Sequence, residues 1–282
     1  MSSDSVVPTK FVDSLSTLQE LLDSLKVIPD SSPPLFIDLE GVNLGRNGSI
    51  SILSLYAVHK GTIYLVDVHT LEEAAFSSPQ PGQDTSLRAI LESPSIKKVL
   101  FDVRNDSDAL FSHYNISLAG VQDLQLMELA TRIGSKKYIA GLAKCIERHS
   151  PMSGLTKAEW KRRKDEVSKL FDPRKGGSYS VFNERPMAPE VRDYCAADVA
   201  HLPGLYNYYQ RIMTPAWRAR VQNATNDRIR LSREPEYDGQ ASTKLVYHDF
   251  PHDYYIAAAF SVELLASDMG KYLEVQELKY KT

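Results

Sequence analysis

Phe36-Ile37-Asp38-Leu39-Glu40-Gly41 is an apolar run that carries two acids two positions apart. In a strand, side chains at i and i+2 leave the same face, so Asp38 and Glu40 point together. Two carboxylates at the edge of a core are costly unless solvent or a cation neutralises them. Either the strand ends at Asp38 and both acids are solvated, the ordinary fate of carboxylates, or the pair is a platform for a divalent metal. Acids further along the chain bear on the choice.

Outward from this strand, residues 16–27 predict an amphipathic helix with Leu18, Leu21, Leu22 and Leu25 on one stripe. Residues 29–34 end it. Strands are expected over residues 35–39, 50–58 and 62–68, with Asn47-Gly48 as a turn signal of the kind that joins antiparallel strands. After a Pro, Gly and Ser loop at 77–85 come a helix at 86–92, a strand at 97–101, a helix at 105–114 and a strand at 120–124. From Gln125 onward the pattern is helical, over 126–133, 139–146, 157–170 and 188–213. A meander followed by β-α-β and packed helices is a mixed α/β sheet of ribonuclease-H-like appearance. Residues 217–233 predict a basic helix, 234–242 a linker and 254–272 a further helix. The expected organisation is a flexible leader over 1–10, a catalytic-type domain over 11–213 and a mainly helical C-terminal extension over 214–282.

The second acidic cluster, Phe101-Asp102-Val103-Arg104-Asn105-Asp106-Ser107-Asp108-Ala109-Leu110, lies where a strand hands over to a helix. Asp106 falls in the first helical turn, with Leu110, Tyr114 and Ile116 continuing an apolar stripe, while Asp108 points elsewhere. An acid there also suits the positive end of a helix dipole, so Asp106 taken singly has two readings. The third cluster runs from Val191 to Leu202 inside the long helix. Tyr194 and Asp198 are four apart and share a face. A buried tyrosine hydrogen-bonded to its neighbour is the structural alternative there.

In order, Asp38-x-Glu40, Asp106 and Tyr194-x-x-x-Asp198 resemble the three motifs of the DEDD superfamily of 3′-to-5′ exonucleases, in the tyrosine subclass typified by RNase D. The resemblance covers about residues 36–209, including Lys98 to Leu110 and Gly120-Val121-Gln122-Asp123-Leu124-Gln125. It implies metal-dependent phosphodiester hydrolysis with two divalent ions, Mg²⁺ or Mn²⁺. Asp38 would bridge the two ions, Glu40 and Asp198 would serve the nucleophile side, Asp106 the other, and Tyr194 would orient the attacking water. Asp108 is the rival ligand in the second motif; the apolar spacing after Asp106 favours Asp106. Relatives commonly carry glutamine where Ser54 stands, a departure that bears on how the site is buttressed.

The same resemblance implies single-stranded nucleic acid as substrate, RNA before DNA, released as nucleoside 5′-monophosphates. In relatives the loop after the first motif lies beside the terminal nucleotide, which here points to Gly41, Leu44 and Arg46, with ordinary core packing as the equal alternative for Leu44. The basic run Lys157, Lys161, Arg162, Arg163, Lys164, Lys169, Arg174 and Lys175 is interleaved with acids and reads as a solvated helix face, with salt-sensitive phosphate contacts as the alternative. A non-catalytic RNA-binding or adaptor module on the same fold is the alternative function. A net charge of −3 excludes a polycationic nucleic-acid binder, so any grip on a strand is local or metal-mediated. Two cysteines without CxxC spacing predict neither a disulfide framework nor a zinc site. With no signal-like start and no apolar run long enough to span a bilayer, an intracellular place, cytoplasmic or nuclear, is expected.

Overall fold

The structure is a computed structural model and describes residues 7–26, 28, 34–78 and 85–239. The chain runs through β1 (Thr9–Val12), α1 (Leu15–Leu25), β2 (Leu35–Glu40), β3 (Ile52–Ala57), β4 (Thr62–Asp67), α2 (Val68–Leu71), α3 (Leu87–Glu92) and β5 (Lys98–Leu100). It continues with α4 (Arg104–Tyr114), β6 (Val121–Asp123), α5 (Leu124–Thr131), α6 (Leu142–His149), α7 (Gly154–Phe171), α8 (Pro189–Ala200), α9 (Leu202–Ile212) and α10 (Pro215–Ser232). The strands form one mixed sheet in the order β1-β4-β3-β2-β5-β6. Strands β2, β3 and β4 are the expected antiparallel meander, and β5 and β6 extend it in parallel from β2.

The pleat of β2 sorts its side chains between two cores. Leu35, Ile37 and Leu39 pack with the leucines of α1 and with Leu110 of α4. Phe36 packs on the opposite face with Val191, Cys195 and Val199 of α8 and with Leu205 and Tyr209 of α9. Asp38 and Glu40, paired in register with Ser54 and Ile52 of β3, belong to the Phe36 face. The alternation that buries the apolar residues thus aims both acids at α8.

Two elements differ from the sequence expectation. Thr9 and Lys10, expected in a flexible leader, begin β1, which pairs in parallel with Ile63–Val66 of β4. Four residues with Thr9 and Lys10 exposed at a sheet edge carry too little apolar alternation to signal a strand. The helix expected over 188–213 is two helices meeting at His201. Pro203 lacks an N–H and its ring clashes inside a helix, so it sits in the first turn of α9.

Helix α10 lies along the outer edge of β6. Gln222 Nε2 donates to the Val121 carbonyl at 3.1 Å, and the Asp123 N–H donates to Thr225 Oγ1 at 3.3 Å. Its Val221 and Ala224 join one core and its Ile229 the other. The further helix expected over 254–272 and residues 240–242 of the expected linker lie outside the described residues. No helix among the described residues is long and apolar enough to cross a membrane.

Candidate active site

Three elements deliver the acids. Strand β2 supplies Asp38 and Glu40, and α8 supplies Asp198; one oxygen from each carboxylate lies within 4.8 Å of the others. Helix α4 starts just beyond the C-terminal end of β5, which runs parallel to β2, and places Asp106 in its first turn. Asp106 lines a cavity of about 240 Å³ together with Asp38, Leu39 and Leu44. Asp108 is directed away, buried, with both oxygens on Arg46: Oδ2 accepts from the backbone N–H at 2.7 Å and Oδ1 from Nε at 2.8 Å.

Crowding sets the electrostatics. Asp38 is pushed up to about 7 by withdrawal from water and by the Asp198 carboxylate. Glu40 is held well above the usual carboxylate range by burial, then by Asp38 and Asp198. Burial and Asp38 do the same for Asp106, against a backbone hydrogen bond from Leu39. Burial, then the charges of Asp198, Glu40 and Asp38, push the Tyr194 phenol up, so it stays protonated and donates rather than takes a proton. Its ring is fixed against Phe171, with centroids 4.9 Å apart.

Lys164 of α7 faces this cluster. Lys164 Nζ lies 2.5 Å from Asp198 Oδ1, 4.9 Å from the Tyr194 ring centroid and 5.4 Å from that of Trp160. Burial disfavours its ammonium, but Asp198, Glu40 and Asp38 more than offset this and raise its pKa. One lysine against four carboxyl groups leaves hard oxygen donors that a divalent ion would hold ionised, which suits Mg²⁺ or Mn²⁺. Saturating Mg²⁺ is therefore expected to raise Tm by about 5–10 °C, the shift given by a ligand at roughly 100 times its Kd. Lys164→Met, lacking the competing ammonium, is expected to melt lower in chelator and gain more from Mg²⁺. Thermal scans in Mg²⁺ and in chelator check both; equal melting in the two buffers contradicts the metal site.

Sequence reasoning grouped Lys164 with a solvated basic face, and most of that face is solvated: Arg162 pairs with Glu166 and Arg163 with Glu159 along α7. The available signal was Trp160 four positions before Lys164, which puts an aromatic ring beside one of the lysines. Asp102 also lines the cavity, in a left-handed conformation (φ 63°), with its carboxylate bridged to Arg104 Nε at 2.6 Å. Tyr237 and Gly239 line it from beyond α10. Of the residues expected beside the substrate, Leu44 lines the cavity. Gly41 packs on the Ser49 carbonyl so closely that a Cβ would lie 1.9 Å from that oxygen, so only glycine fits. The Arg46 guanidinium is engaged by Asp108 and by the carbonyls of Ser232, Glu234 and Pro235. Ser54, opposite Asp38, has a buried hydroxyl without a hydrogen-bond partner.

A family model described as 3′-5′ exonuclease matches residues 10–214. The piRNA biogenesis protein EXD1 of Bombyx mori is 27% identical over 167 residues, which are 58% of this chain and 45% of that protein. The chain thus spans about half the length of this curated relative. Trypanosoma brucei RNase D, solved as a GMP complex, superposes with a TM-score of 0.66 at 19% identity, over 85% of this chain and 69% of that one. Its complex with RNA U12 gives 0.65 at 21% identity, over 85% and 76%. Brucella melitensis NrnC with bound Mg²⁺ gives 0.51 at 16% identity, over 76% and 92%. At these identities the solved structures share the fold.

Proposed function

Since this chain belongs to the 3′-5′ exonuclease family, we propose that it is a metal-dependent 3′-to-5′ exonuclease acting on single-stranded nucleic acid, with RNA preferred over DNA. The observation that carries the reading is the meeting of Asp38, Glu40 and Asp198 within 4.8 Å, beside the cavity Asp106 lines. Asp38, Glu40, Asp106 and Asp198 would hold two divalent ions. Bound there, the ions would neutralise phosphate charge and activate water for in-line displacement.

The protein's own groups set the geometry. Asp38 and Glu40 are fixed by the β2–β3 register, and Asp198 by α8 packing on that sheet face. Tyr194, protonated and clamped by Phe171, offers a hydroxyl to orient the attacking water. Leu44 gives the cavity an apolar wall for a base or sugar. The preference for RNA draws on the likeness to an RNase D whose structure holds RNA U12.

The second reading, a non-catalytic RNA-binding or adaptor module, has Lys164 in its favour, since an internal cation already pairs with Asp198. End-labelled single strands of RNA and DNA, incubated with purified protein in Mg²⁺, Mn²⁺ or chelator, separate the two. Release of mononucleotides from the 3′ end in metal alone, faster from RNA, is the expected result. Binding without cleavage in every buffer would establish the module instead.

A further inference from the structure

The cavity that holds Asp38 and Asp106 has a wall from outside the matched family segment: Tyr237 and Gly239, in the stretch that follows α10. This stretch is tied down at several points. Arg46 Nη1 donates to the Pro235 carbonyl at 2.9 Å, and Nη2 donates to those of Ser232 at 2.9 Å and Glu234 at 2.8 Å. Asp108 fixes the same guanidinium from behind at 2.8 Å. Tyr237 Oη donates to Asn105 Oδ1 at 2.8 Å, one residue before Asp106. Gly239 passes so near that a Cβ there would lie 2.5 Å from the Asn105 amide oxygen. Residues 233–239 are thus a strap held across the mouth of the acid cluster by the loop after β2 and the first turn of α4.

We propose that this strap is a substrate-contacting element and that Tyr237 is a positioning residue for the 3′-terminal nucleoside, which it meets in the cavity that Leu44 also lines. The identity of the ligand rests on the exonuclease reading; the wall itself rests on geometry. A strap built to shut the site would fill it, whereas a cavity of about 240 Å³ stays open with the strap in place. That volume lies a little below the ~300 Å³ at which small-molecule pockets begin, so it takes one end of a strand and not a duplex. Tyr237 is its aromatic surface, Leu39 and Leu44 its aliphatic ones, and the acids with Arg104 and Asn105 its polar part. A base seated between such surfaces gains from an aromatic contact whatever its identity.

The test compares a ligand with a base and one without. Calorimetry in Mg²⁺ on the full chain, with uridine 5′-monophosphate and ribose 5-phosphate, should find the base-bearing ligand tighter. Tyr237→Ala should weaken uridine 5′-monophosphate roughly 5- to 140-fold, the range for loss of one base–aromatic contact, and ribose 5-phosphate little. Tyr237→Phe, which keeps the ring and loses the Asn105 bond, should retain most of the difference. In cleavage assays the Ala variant should raise KM more than it lowers kcat.

Equal losses on both ligands, or none, overturn the proposal, and so does tighter binding with faster cleavage, which would make the strap a cover. A protein that binds uridine 5′-monophosphate through Tyr237 yet cleaves nothing keeps the wall and loses the exonuclease reading. Cleavage with an unchanged KM in Tyr237→Ala does the reverse.

Discussion

Asp38→Asn is expected to lower 3′-end hydrolysis by about 10³-fold or more, equivalent to ~4 kcal/mol of transition-state stabilisation. Asparagine keeps the shape opposite Ser54 and removes the charge at the centre of the cluster. The same variant should be no less stable than the parent in chelator, because the carboxylate it replaces is disfavoured in its charged form. The sign follows from the raised pKa of about 7. Below about pH 4 Asp38 is protonated folded or unfolded, and stability is unaffected. As pH rises toward and through 7, the unfolded chain ionises freely while the native carboxyl ionises only against Asp198 and a poorly hydrated surround, so stability falls. Melting in chelator should therefore decline between about pH 4 and pH 7 and level off above, for the parent, and decline less steeply for Asp38→Asn. A variant that keeps a tenth of the parental rate would remove Asp38 from the chemistry, and parallel melting curves would remove it from the electrostatics.

Arg228→Ala should destabilise the fold by roughly 3–5 kcal/mol, the range for stripping one partner from a buried ion pair. Arg228 is 2% exposed on α10, and its Nη1 donates to Asp123 Oδ2 at 2.8 Å, to Gln125 Oε1 at 2.9 Å and to Asp102 Oδ1 at 3.4 Å. Asp123 is fully buried and already accepts from the backbone N–H groups of Asp102, Val103, Gln125 and Leu126. Without the guanidinium its charge is left with amide dipoles alone, and those amides anchor the turn into α4 that aims Asp106. At 2–4 °C per kcal/mol for a domain of this size, Tm should drop by about 6–20 °C. Activity should fall alongside, because Asp106 loses its footing. Truncation after residue 214, the end of the matched family segment, should do at least as much damage. A Tm within 2 °C of the parent for Arg228→Ala would show that the network adds nothing net.

The legible part of this protein was what repeats at short range. Asp38 and Glu40 were readable because a two-residue period fixes the face of a strand, and Tyr194 and Asp198 because a four-residue step fixes the face of a helix. Asp106 was preferred to Asp108 because the apolar spacing after it matches that of the family it resembles, and in the fold Asp108 pairs with Arg46. What sequence alone did not reveal is what only the tertiary fold brings together. Nothing near Lys164 distinguishes it from its solvated neighbours except Trp160; its role comes from Asp198, 34 positions away. Arg46 and the carbonyls it holds are nearly 190 positions apart. Tyr237 follows a basic helix and carries no local mark of a cavity wall. The break at His201 differs from these, since Pro203 was in plain view.

The fit of Gln222 and Thr225 on β6 has a further consequence. They occupy backbone groups that would otherwise stand open as a template for another chain, the usual hazard of an uncovered outer strand. A protease nick or a frayed turn in α10 would bare that template together with the apolar underside of its cover. Loss of catalytic geometry and the onset of self-association should then arrive as one event.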